Sequence, residues 1–121
     1  MGFALAAELN GYPGPLHVLE LAQQLKLTAV QKQKTEQLFN EMLTAAKTLG
    51  EQLILREEEL DRLFRNKKAT AADITTYTEA AALAQGRLRA AHLHYHLKML
   101  EVLTPSQTEK YKQLRGYAKE E

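Results

Sequence analysis

The pattern Leu-Thr-x-x-Gln occurs twice in this chain, at Leu27-Thr28-Ala29-Val30-Gln31 and at Leu103-Thr104-Pro105-Ser106-Gln107. Each copy stands where an apolar periodicity of the helical kind begins, and that placement gives it a physical meaning. A Thr hydroxyl at a helix N-cap accepts a hydrogen bond from the backbone N–H three residues on, while a Gln at that third position reaches back to the Thr N–H. Pro105 falls at the first helical position, where its missing N–H is no loss and its fixed φ suits the turn. Thr70-Ala71-Ala72-Asp73 repeats the arrangement with Asp in place of Gln. Helix starts are therefore predicted after Thr28, Thr70 and Thr104.

Between these starts the apolar residues recur at steps of three and four. From Ala29 to about Arg65 one face carries Leu38, Met42, Ala45, Leu49, Gln52, Arg56, Leu60 and Leu63. At ~1.5 Å per residue this helix would be roughly 55 Å long. Asn66-Lys67-Lys68-Ala69 breaks the pattern. A third helix then runs to Leu103 with the stripe Ile74, Tyr77, Ala81, Ala84, Leu88, Ala91, Tyr95, Met99 and Val102. So short a break between two long helices predicts an antiparallel hairpin. In that register Leu49, Leu53, Ile54 and Leu55 face Ala80, Ala81, Ala82 and Ala84, large against small. Gly50 and Gly86 fall at the same level, which reads either as a shared point where both helices bend or another backbone comes close, or as two tolerated helical glycines at about 1 kcal/mol each. Leu93, Leu97 and Leu100 form a second apolar stripe late in the third helix, which therefore needs two partners.

The flanking segments are shorter. Residues 1–14 read as an irregular N-terminal segment because Asn10-Gly11-Tyr12-Pro13-Gly14-Pro15 is a dense turn signal. Residues 15–121 then form a single four-helix domain. Its first helix spans Pro15 to near Leu27, and its last carries Tyr111 and Leu114 and stops at Gly116. The fold class is all-α: a long antiparallel hairpin with short N- and C-terminal helices. A hairpin this long cannot cover its own apolar faces, which predicts a homodimer.

Composition narrows the chemistry. A chain of 121 residues is one domain by length. Its net charge of +1, from 16 basic and 15 acidic residues, steers it toward neither nucleic acid nor anionic lipid. There is no cysteine, hence no disulfide and no thiolate chemistry. No run approaches the ~20 apolar residues that span a bilayer. Lys110-Tyr111-Lys112-Gln113-Leu114-Arg115-Gly116-Tyr117 mixes basic and aromatic residues, but its tyrosines fit helix packing better than nucleic-acid contact.

His92 and His96 are spaced so that both imidazoles reach one side of a helix and could share a metal. His17 is the best third ligand if the first helix folds over that end of the hairpin, with Glu20 beside it. The alternative is a pair of boundary histidines hydrogen-bonded to neighbours. Met42 and Met99 lie on apolar stripes and read as core filler. Glu57-Glu58-Glu59 reads as a solvated face, since successive helix positions do not give carboxylates the distinct environments that catalysis needs. No phosphate loop, nucleophile elbow or triad is visible, and the expectation is no enzyme and no required cofactor.

The twin boxes Leu27-Thr28-x-x-Gln31 and Leu103-Thr104-x-x-Gln107, the long hairpin between them and the absence of cysteine resemble the Spy/CpxP family of bacterial periplasmic proteins, the LTXXQ-motif family. The likeness covers about residues 15 to 117. The stretch His92-Leu93-His94-Tyr95-His96-Leu97-Lys98-Met99 adds a similarity to the CnrX/ZraP heavy-metal-resistance branch. The resemblance implies a periplasmic four-helix protein forming a curved, intertwined dimer, with its signal peptide absent from this form of the chain. It implies an ATP-independent chaperone for unfolded clients or a regulator acting on a membrane stress sensor. Its metal-resistance branch implies a sensor or buffer for zinc, nickel, cobalt or copper. Counted from the boxes, that branch's ligand positions fall on Val18, Ala22, Phe39, Tyr95 and Met99, of which Met99 alone keeps the ligand type. A different site through His17, His92 and His96 stays open.

Overall fold

The computed structural model describes residues 4–117, and these residues are all-helical with no strand among them. The elements are α1 (Leu5–Leu9), α2 (Pro15–Glu20), α3 (Ala29–Arg65), α4 (Ala71–Val102) and α5 (Pro105–Leu114). All three boxes form. Thr28 N–H donates to Gln31 Oε1 at 3.0 Å and Gln31 N–H to Thr28 Oγ1 at 3.1 Å. The corresponding pairs are 2.9 and 3.2 Å at Thr104–Gln107, and 3.2 and 3.1 Å at Thr70–Asp73.

Helix ends are equally regular. At four places a residue with positive φ closes a turn, and the following N–H returns five residues to a carbonyl of the preceding helix or turn. Gly11 (φ 87°) and Gly116 (φ 76°) do this with Tyr12 N–Ala7 O at 3.0 Å and Tyr117 N–Lys112 O at 2.8 Å. Lys26 (φ 54°) and Lys67 (φ 55°) do it with Leu27 N–Ala22 O at 3.1 Å and Lys68 N–Leu63 O at 3.0 Å. A lysine tolerates this conformation less well than glycine does.

Two expectations need correction. Residues 1–14 are not irregular throughout, and five helices form where four were expected, because Leu5-Ala6-Ala7-Glu8 combines strong helix formers that α1 gathers before Gly11 ends it. The helix that begins at Pro15 leaves regular geometry at Leu21 (φ −101°, ψ 15°) and continues to Lys26 as consecutive turns. Those turns carry Leu25 into the interior, where it is buried.

The described residues divide into two compact units. One comprises the chain up to Leu43 and the chain from His92 onward. Its core is Val18, Leu25, Met99, Leu103 and Tyr111, with Leu21, Leu27, Leu38, Val102 and Tyr117 packed against it. The leucines of both Leu-Thr-x-x-Gln boxes are thus core residues. The other unit, Thr44–Ala91, is the tip of the helical hairpin. Only Ala81 and Ala84 are buried there, on the stripe assigned to the helix–helix contact. Lys67 and Lys68 at the turn are exposed. A Cβ on Gly50 or Gly86 would meet nothing within 4 Å, so neither glycine marks a close backbone approach within this chain.

Candidate functional site

The two box glutamines meet. Gln31 Nε2 donates to Gln107 Oε1 at 2.7 Å, and Gln107 Nε2 donates to Gln31 Oε1 at 3.0 Å. Each amide spends its second N–H on a carbonyl just before the other box: Gln31 on Val102 O at 3.0 Å, Gln107 on Leu25 O at 3.2 Å. Each amide oxygen also takes the N–H of its own Thr. A primary amide offers two donors and two acceptor sites, and here all four are used on both residues. Capping alone explains a single box. The reciprocal pair explains why the chain carries two.

Beside this centre, α1 and the turn after it are held by buried polar groups. Tyr111 Oη lies 2.8 Å from both carboxylate oxygens of Glu8 and donates to that carboxylate, and it accepts Gly14 N–H at 3.4 Å. His96 Nδ1 is 2.8 Å from Tyr12 O. A carbonyl only accepts, so this nitrogen carries the proton. Glu8, His96 and Tyr111 are all buried. Burial and the adjacent Glu8 carboxylate push the Tyr111 phenol far above its ordinary value of 10.0. Gly14 is required by close approach: a Cβ there would stand 2.7 Å from His96 Cε1, 3.0 Å from His96 Nε2 and 3.2 Å from Glu8 Oε1.

A cavity of about 420 Å³ opens next to this cluster, within the same unit. His17, His92 and His96 all line it, as do Glu8 and Arg115. Their other commitments differ. His17 Nδ1 pairs with Glu20 Oε2 at 3.2 Å. The His92 and His96 rings are 5.2 Å apart and tilted by 55°. Burial, then the neighbouring His96, holds the His92 imidazole below its ordinary value of 6.5. Among the described residues no group of three or more His, Asp or Glu is arranged to hold a metal ion. His94 is exposed, and Met99 is fully buried core as its stripe position implied.

Sequence reasoning placed the boxes, the His92–His96 pair and the core role of Tyr111. It missed Glu8 and Arg115. A carboxylate in the first turns of an N-terminal segment has no local sign of burial, and its partner lies 103 residues away.

No family model, no curated protein and no solved structure matches this chain.

Proposed function

We propose that this chain is a Spy/CpxP-like periplasmic binding protein, an ATP-independent chaperone or envelope-stress regulator working as a homodimer, and not an enzyme. The observation that carries the reading is the exposure of large apolar side chains on the hairpin unit. Ile54, Leu55, Phe64, Ile74 and Leu83 are 40–58% exposed along α3 and α4. They alternate with charged neighbours such as Arg56, Glu57, Arg62 and Glu79. Single apolar side chains are ordinary on a protein surface, but client capture without ATP requires them on a surface with little core of its own, and in this unit only Ala81 and Ala84 are buried. The charged neighbours keep each contact weak, so that a client is held and released. The twin boxes support the same family assignment through their reciprocal glutamines.

The test is aggregation of a chemically denatured client, followed by light scattering, with stoichiometric protein and no nucleotide. Suppression is expected, and replacing Ile54, Phe64 and Leu83 together by Ser is expected to weaken it at unchanged helicity. Undiminished scattering at several-fold excess of the parent protein would refute the chaperone reading.

A second reading, a metal sensor or buffer, has one observation on its side: His17, His92 and His96 share a cavity. Calorimetric titration with zinc, nickel, cobalt or copper decides it. Tight one-to-one binding that is lost in His92→Ala/His96→Ala would favour the metal reading, and no binding by the parent would remove it.

A further inference from the structure

The cavity beside Glu8 and Tyr111 has the volume and the division of surface of a small-molecule site. Its wall is mainly apolar, with Leu5, Leu16, Phe39, Met42 and Leu43 among its residues. Leu5, Leu16 and Leu43 are 42–50% exposed, so the apolar wall extends to the solvent-facing rim. The opposite character comes from Arg115. Its Nη2 donates to Tyr117 Oη at 3.3 Å and its guanidinium lies 5.6 Å from the Tyr117 ring. Its Nε is buried with no hydrogen-bond partner. Among the described residues no carboxylate lies within salt-bridge distance of it.

A partly desolvated guanidinium without a carboxylate partner is a costly arrangement, and an anion brought to it recovers part of that cost. Glu8 acts on it only through space, since its carboxylate takes the Tyr111 hydroxyl and makes no salt bridge with Arg115. His92 also lines the cavity and is half-buried there. As a neutral imidazole it presents one donor and one acceptor to whatever enters.

We propose that this cavity binds a small amphiphilic carboxylate, its hydrocarbon part among Leu5, Leu16, Phe39, Met42 and Leu43 and its head group against the Arg115 guanidinium beside His92. Size sets the class: about 420 Å³ accommodates a chain or ring of roughly ten heavy atoms and excludes a folded partner. The site is independent of client holding, since none of its residues belongs to the hairpin unit.

The experiment titrates the full chain with decanoate, decanol and decylamine by calorimetry and follows the His92 ring protons by NMR. Saturable one-to-one binding of decanoate is expected, about tenfold or more tighter than decanol, with decylamine weakest and the His92 signals shifting in step. Arg115→Met is expected to bring decanoate down to the level of decanol, while Arg115→Lys keeps part of the difference. His94→Ala, on an exposed side chain, should leave binding unchanged. Equal affinity for decanoate and decanol, preference for decylamine, absence of saturation up to about 1 mM, or binding that leaves the His92 signals in place would each overturn the proposal. If Arg115→Met unfolds, the three-ligand ranking and the His92 shifts on the parent chain still decide it.

Discussion

Gln31 and Gln107 each saturate a side-chain amide with bonds that no apolar residue can replace. Removing either strands the other amide together with Val102 O or Leu25 O. Gln31→Ala and Gln107→Ala are each expected to cost about 2 kcal/mol of stability in denaturant unfolding. The double variant should cost less than the sum by roughly 1–2 kcal/mol, because the second change removes bonds already broken. Additive costs would show that the pairing contributes nothing beyond two separate caps. His92 gives a pH signature. Its folded value lies below 6.5, so between the two values the unfolded chain binds the proton and the folded chain does not. Stability is therefore expected to be full above about 6.5 and to fall as acidification passes through the lowered folded value. His92→Gln should flatten that part of the pH profile. At this scale the sequence was legible where chemistry is local: a Thr and a Gln three apart announce a cap by themselves. It was silent on the Glu8–Tyr111 bond and on His96 with Tyr12, which join residues 103 and 84 apart. No spacing rule reaches that far.

The helices test how far local signals carry. α3 begins at Ala29 and ends at Arg65 as read, because a capping box opens it and the Asn66–Ala69 break closes it. α4 follows the same logic from Thr70. The stop after Lys67 was legible only as a broken pattern, since a lysine with positive φ carries no glycine signal. α1 was missed because five good helix formers beside a dense turn look too short to count. That helix depends on the buried contacts of Glu8 and Ala4. Gly50 and Gly86 lie inside α3 and α4 with open space where a Cβ would go. Gly50→Ala and Gly86→Ala are each expected to raise stability by about 1 kcal/mol in thermal or denaturant unfolding. Raised stability with impaired client holding would mean that the glycines serve as bending points. Destabilisation by either change would mean that a neighbour outside this chain comes close there.

On the scale of the whole molecule, the cluster of large buried residues belongs to one unit, while exposed large apolar side chains occur on both. The unit containing Tyr111 and Met99 closes five buried apolar residues around the box centre, whereas Thr44–Ala91 buries two alanines. Native-state hydrogen exchange is expected to follow this division. Amides around Met99 and Tyr111 should exchange slowest, and those flanking Lys67 fastest. The all-helical class and the hairpin were readable because periodicity and caps agree along both long helices. The exposed surface was readable only as an excess of apolar faces, a pattern that names no occupant. The most direct measurement is hydrogen exchange of the full chain with and without a reduced, alkylated client that stays unfolded. Slowed exchange over Thr44–Ala91 at the positions around Ile54, Phe64 and Leu83 is the expected result. Unchanged exchange in that unit at saturating client, or protection confined to the Tyr111 unit, would contradict the assignment of client holding to the hairpin.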